Sequence, residues 1–235
     1  MQQVAAGPRA IKNWLKYHVP VFQRLRGISM HHPPFPATYG REVAAAYDAV
    51  RVAAIGLALT TIARTNIPGA IAELGVYRGE TSRLLRQMAA DRVLYLFDTF
   101  AGFQDARDTR FRDTNVEQAL RTIGNLSRVI VRPGLFPDTA RGLEDERFAF
   151  VMLDADRYQA TLDGLDFFYP RLSPGGFIFV HDYHSPESDQ GAARAVDHFF
   201  RDKPEWPVEL PDRDGSVVIR KVRAQASDSP RAARP

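Results

Sequence analysis

The sequence contains no cysteine, which removes disulfides, thiolate nucleophiles and Cys-ligated zinc or iron–sulfur centres. Any metal must be held by oxygen or imidazole. A long hydrophobic run is missing too: the richest stretch, 52–62, is bounded by Arg51 and Arg64 and falls short of the ~20 apolar residues of a membrane span. The first residues carry no signal-peptide hydrophobic region, so a cytoplasmic location and no membrane partner are expected. Excess charge is small as well, 31 basic against 28 acidic residues for a net +3. The arginines are spread along the chain instead of lining up with aromatics, which argues against nucleic acid as a partner.

What is present is an ordinary globular composition, 45% hydrophobic and 25% charged over 235 residues, enough for one substantial core. Three segments are expected. Residues 1–68 read as a helical N-terminal extension: Ile11, Trp14, Leu15, Val19, Phe22 and Leu25 recur at roughly helical spacing, with Pro20 as a kink. The prolines around His31 and His32 form a joint, and 41–65 reads as one long helix stopped by Asn66, Pro68 and Gly69. These apolar faces serve packing or subunit contact, and a homodimer is expected. Residues 69–222 alternate short apolar runs (70–76, 93–97, 129–131, 148–153, 177–180) with helical stretches (81–90, 115–123, 161–172, 191–202) and a short turn near 137–143. That is βαβ alternation, an α/β fold with a largely parallel sheet covered on both faces. Segments 208–210 and 216–221, joined through Pro211 to Gly215, predict a closing antiparallel pair. Residues 223–235, rich in Ala, Ser, Arg and Pro, read as a disordered tail.

In such a sheet ligands bind beyond the carboxyl ends of the strands. The first strand runs into Glu73-Leu74-Gly75-Val76-Tyr77-Arg78-Gly79-Glu80-Thr81-Ser82. Gly75 and Gly79 permit a tight turn and close approach of a ligand to backbone, and Thr81 or Ser82 can cap the next helix. The third glycine of a dinucleotide G-x-G-x-x-G turn is absent, and a plain strand-to-helix turn is the simpler alternative. The second strand ends in Asp98-Thr99-Phe100, an acid 23 positions beyond Gly75, the place from which a carboxylate accepts ribose hydroxyls. Capping its own turn is the simpler role for Asp98. Together the two ends suggest an adenosine without pyrophosphate.

The later strand ends are more polar: Leu153-Asp154-Ala155-Asp156-Arg157-Tyr158, then Val180-His181-Asp182-Tyr183-His184. Asp154 and Asp182 lie 28 residues apart, about one βαβ unit, which returns the chain to a neighbouring strand and sets the two carboxylates side by side. So close, they call for a cation or a shared proton. Mg2+ fits better than zinc, with solvated loop acids as the plainer reading. His181 and His184 are bases, ligands or ordinary surface histidines. His31 and His32 are assigned no role. Residues 100–114, with Arg107, Arg110 and Arg112 among three aspartates, are read as a polar insertion at the rim, either a lid or an inert loop.

These motifs in this order, with Asp98-Thr99-Phe100-Ala101-Gly102-Phe103, Pro170-Arg171-Leu172-Ser173-Pro174-Gly175-Gly176 and Gly191-Ala192-Ala193-Arg194-Ala195-Val196-Asp197-His198-Phe199, resemble the macrocin O-methyltransferase (TylF type) family. The resemblance spans about 69–200. It implies the class I methyltransferase fold, a Rossmann-like seven-stranded sheet, mostly parallel with its last strand antiparallel. It further implies S-adenosyl-L-methionine under the Glu73 to Gly79 turn with Asp98 on the ribose diol. Tyr77, Thr81, Ser82, Thr99, Gly134 and Asp154 complete the expected cofactor contacts. Members similar to this chain methylate sugar hydroxyls of natural products using Mg2+. Asp154 and Asp182 match the metal-binding acids, and His181 stands where some members have an aspartate. The resemblance thus makes Asp154, Asp182 and His181 the candidate catalytic and metal-ligating set, with His181 as candidate base and a sugar or glycosylated metabolite as the hydroxylated acceptor. The competing readings are a catechol or phenol acceptor, an NAD(P)-dependent oxidoreductase, and a non-catalytic binding protein on the same fold.

Overall fold

The computed structural model describes residues 48–105 and 107–222. The expectations for residues 1–47, including His31 and His32, and for the tail 223–235 lie outside the described residues.

The first described helix, α1 (Ala49–Arg64), covers the described part of the helix expected over 41–65. Asp48 is extended, and its carboxylate accepts from the Val50 (2.8 Å) and Arg51 (3.4 Å) N–H groups. An N-cap of this kind satisfies donors that have no partner within the helix, and so fixes where it begins. Beyond Gly69 follow β1 (Ala70–Leu74), α2 (Glu80–Met88), β2 (Leu94–Asp98), α3 (Val116–Ile123), β3 (Val129–Pro133) and β4 (Phe148–Leu153). The chain continues through α4 (Tyr158–Phe168), β5 (Leu172–Val180), α5 (Gly191–Phe199), β6 (Val208–Leu210) and β7 (Ser216–Arg220). Among these residues no helix is long and apolar enough to cross a membrane.

The sheet order is β3-β2-β1-β4-β5-β7-β6. The first five strands are mutually parallel, and β7 lies antiparallel between β5 and β6. The expected closing hairpin is present, and it docks through its second strand. Strand β5 begins at Leu172, five residues before the sequence pattern suggested. Pro174, Gly175 and Gly176 disguise its start, and a register shift opposite Phe148 and Phe150 accommodates them. A Cβ at Gly176 would stand 2.7 Å from the Ala149 carbonyl oxygen, so only glycine lets the two strands approach.

Alternate residues of each strand feed two cores. Ile71, Leu96, Phe150 and Phe179 pack under α1, α2 and α3, with Ile55, Leu59 and Ile62 of α1 in the same cluster. Ala72, Phe97, Val151 and Val180 pack under α4 and α5, against Leu165, Phe168 and Val196. Helix α1 thus packs directly on the sheet.

Register decides where chemistry can occur. Leu74 lies opposite both Phe97 and Leu153, and Leu153 opposite Val180. Four strands therefore end at one level, and Asp98, Gly75, Asp154 and His181 form a row across the sheet. Hydrogen bonds tie the row together: Gly75 N–H to Phe97 (2.9 Å), Asp154 N–H to Leu74 (2.8 Å), His181 N–H to Leu153 (2.9 Å). The connections leave β1 in one direction and β4 in the other, so the row straddles the switch point where open sheets bind ligands.

Candidate active site

Both glycines of the first turn are demanded by protein backbone. Gly75 has φ +89°, and a Cβ there would fall 1.9 Å from the Asp154 carbonyl oxygen. Gly79, at φ +82°, would meet the Ala119 carbonyl oxygen of α3 at 2.9 Å. Between them the N–H groups of Val76 and Tyr77 donate to one Asp98 oxygen (2.7 and 2.8 Å), and Phe100 N–H donates to the other (2.7 Å). A carboxylate offers about four lone-pair sites, so Asp98 organises two loops and keeps one acceptor direction open.

The cap expected from Thr81 or Ser82 is not formed: Gly79 caps α2 without a side-chain hydrogen bond. Ser82 is fully buried and its hydroxyl donates to the carboxyl of buried Glu73. Burial pushes the Glu73 carboxyl well above the usual carboxylate range, against the lowering effect of Ser82. Thr99 folds into its own turn, donating to the Gly102 carbonyl at 2.8 Å. Gly134 N–H donates to the Asp98 carbonyl at 2.9 Å, which places the end of β3 beside the row. The Tyr77 hydroxyl donates to Asp113 at 2.9 Å.

At the other end of the row, Asp154, His181 and Asp182 each offer a donor atom, and all three lie within 4.8 Å of one another. His181 Nδ1 is 3.2 Å from Asp154 Oδ1 and 2.9 Å from Asp182 Oδ1. Its Nε2–H donates to the Arg213 carbonyl at 3.3 Å. Burial alone would lower the His181 pKa, but the Asp154 charge and the hydrogen bonds to Asp154 and Asp182 outweigh it and raise it to about 10. Burial would likewise raise Asp154, and the His181 charge and hydrogen bond reverse that into a net lowering. His184 stays outside the group, paired with Glu209 at 2.7 Å on the surface.

Reading the residues one at a time missed Asp156. Burial first, then the neighbouring Asp154 and Asp182 carboxylates, push its carboxyl up to about 8. The available signal was the D-x-D spacing after β4, which puts a second acid on the same loop. Tyr77, Phe100, Asp156 and Asp182 all have φ between +51° and +62°. Such backbone strain in non-glycine residues concentrates at functional rims.

The polar insertion closes against this rim. Asp108 accepts from Arg110 (2.7 Å) and from Arg157 of the β4 loop (2.6 Å), while Arg110 also pairs with Glu187 beyond β5. The Arg157 guanidinium lies 4.3 Å from the centre of the Phe103 ring. The connections that follow β2, β4 and β5 are thereby joined.

A profile of the macrocin O-methyltransferase (TylF) family matches residues 44–221. The chain belongs to that family. It is 34% identical over 165 residues to the mycinamicin III 3''-O-methyltransferase of Micromonospora griseorubida, covering 60% of this chain and 63% of that enzyme. The chain therefore spans less than two thirds of that relative's length. A tetracenomycin 4'-O-methyltransferase of Streptomyces olivaceus, whose name specifies a dimethoxy-rhamnosyl group, is 29% identical over 192 residues, with 72% of each chain covered. The solved O-methyltransferase NovP superposes with a TM-score of 0.64 at 26% identity, over 74% of this chain and 80% of that one. The calicheamicin methyltransferase CalS11 shares the fold at a TM-score of 0.60 and 17% identity, over 94% and 97%.

Proposed function

We propose that this protein is an S-adenosylmethionine-dependent O-methyltransferase acting on a hydroxyl of a sugar or glycosylated metabolite, assisted by a divalent cation. The observation that carries this reading is the row at the switch point, where an adenosine-type turn and an Asp–His–Asp group stand on adjacent strand ends. Its membership of the family and the sugar named in the tetracenomycin relative support the acceptor class.

The donor set fits a divalent ion: two carboxylate oxygens and one imidazole nitrogen, with no sulfur, converge from two loops. Asp154, His181 and Asp182 would hold it. When bound, S-adenosylmethionine supplies an electrophilic methyl group, and the cation supplies positive charge beside the acceptor oxygen. Asp98 has one acceptor direction left for a ribose hydroxyl. The acids of the rim favour a sulfonium over a pyrophosphate, because the first is a cation and the second an anion. His181 is engaged through both ring nitrogens, to Arg213 on one side and the two aspartates on the other. With both ring nitrogens engaged, Asp156, the remaining carboxyl of the group, is the candidate base in its ionised form, which becomes populated as pH rises through about 8. The Asp108 clamp ties the insertion to the loops after β4 and β5; reacting groups held in line can recover ~7–11 kcal/mol of barrier.

An acceptor screen with methyl-labelled S-adenosylmethionine, run with and without EDTA across saccharides, glycosylated metabolites and catechols, tests the reading. Label should enter glycosylated acceptors and fall on chelation. Labelling of catechols alone would reassign the acceptor, and labelling indifferent to EDTA would retire the cation.

A further inference from the structure

Resting on the reading that a divalent cation is held by Asp154, His181 and Asp182, we propose that this site selects a first-row transition ion, Mn2+ to Zn2+, over Mg2+. His181 Nδ1 is the selecting ligand. Mg2+ is a hard ion that favours oxygen ligands and gives up its waters reluctantly. An imidazole nitrogen contributes little to it. For first-row transition ions the same nitrogen adds affinity, increasingly along the series toward copper.

The geometry makes His181 a committed ligand. The side chain is buried, with the residue 9% exposed, so it has little room to swing aside for an added water. Its orientation is fixed from behind: Nε2–H donates to the Arg213 carbonyl, and the Arg213 N–H donates to Asp48 Oδ2 at 2.6 Å. The turn bearing that carbonyl is braced again by Asp212, which accepts from Ser216 N–H and hydroxyl, each at 2.6 Å. A backbone carbonyl on the far nitrogen is the usual partner of a metal-bound histidine, because it fixes the tautomer and raises the basicity of the ligating atom. Here it leaves Nδ1 facing Asp154 and Asp182. A proton on Nδ1 bridges the ring to these carboxylates, and an ion at the same place would replace that proton while keeping all three partners.

Calorimetric titration of the full chain with Mn2+ and with Mg2+, together with pulsed EPR of the Mn2+ form, decides the matter without recourse to turnover. Mn2+ should bind at least about tenfold more tightly than Mg2+, with a ¹⁴N coupling from a directly bound imidazole. In His181→Asp the coupling should vanish and the preference narrow or reverse. Should that variant fail to fold, the wild-type coupling and affinity ratio still decide. Mn2+ bound without ¹⁴N coupling, or Mg2+ bound as tightly, would overturn the selectivity and leave a cation site standing. Failure of both ions to bind at one per chain would remove the cation site and this inference with it.

Discussion

Replacing Gly75 by alanine tests whether the first strand end and the acid loop are pressed together as described. The added Cβ would lie 1.9 Å from the Asp154 carbonyl oxygen and 2.7 Å from its carbon. Contacts under 3.0 Å are not tolerated, so the Asp154 backbone must retreat by more than an ångström. Gly142 is the matched control: its φ of +83° is close to the +89° of Gly75, and nothing lies within 4 Å of its added Cβ. Both substitutions incur the left-handed backbone cost of roughly 1–2 kcal/mol. Only Gly75→Ala adds the overpacking cost, typically about 1–3 kcal/mol. For a chain of this size each kcal/mol shifts Tm by roughly 2–4 °C, so Gly75→Ala should melt about 2–12 °C below Gly142→Ala. A misplacement of 1 Å at reacting groups can cost about 10²-fold in rate, so methyl transfer should collapse in Gly75→Ala and survive in Gly142→Ala. Thermal melts and a labelled-methyl assay on the two purified variants read both effects. Equal Tm values with equal residual activity would refute the packing argument.

Asp156→Asn should reduce kcat by about 10²- to 10⁴-fold, the usual contribution of a placed base, with the affinity for S-adenosylhomocysteine unchanged; a parallel loss of affinity, measured by calorimetry, would assign Asp156 to folding or cofactor binding instead. A different effect is expected at Glu205, far from the site, which is buried and accepts from the Tyr169 hydroxyl (2.5 Å) and Val222 N–H (3.0 Å). Burial raises its pKa, but these donors outweigh that and hold it below the usual carboxylate range. The stabilisation is therefore present above the unfolded pKa and lost as pH falls through the lowered folded one. Glu205→Gln should cost about 1–3 kcal/mol at neutral pH and flatten the acid limb of the urea-unfolding profile; an unchanged limb would show that other carboxylates set it.

Much of this arrangement was legible in the sequence because parallel strands advertise themselves as short apolar runs, and their polar ends follow directly. Asp98, Asp154 and His181 could each be read as the residue just past such a run, and Gly75 as the glycine at the end of the first. What stayed hidden depends on contacts between distant segments. The carbonyl of Asp154, rather than a ligand, is what excludes a side chain at Gly75. Ser82 has the chemistry of a helix cap but turns inward to Glu73, a preference visible only once Glu73 is known to be buried. Asp48 carries a cap signal that the apolar pattern on either side obscured. The hairpin signal at Pro211 to Gly215 predicted that β6 and β7 pair, but could not say which of them meets β5. Asp156 was overlooked because a lone loop acid looks solvated; its meaning comes from Asp182, which arrives from the next strand.

The central claim is that the turn between β1 and α2, closed by Asp98, is a seat for S-adenosylmethionine. Calorimetric titration of the full chain with S-adenosylhomocysteine tests it most directly, with NAD and NADP in parallel cells. S-adenosylhomocysteine should bind saturably at one site per chain, more weakly in Asp98→Ala, and neither dinucleotide should give heat. Binding of a dinucleotide with silence from S-adenosylhomocysteine would contradict it.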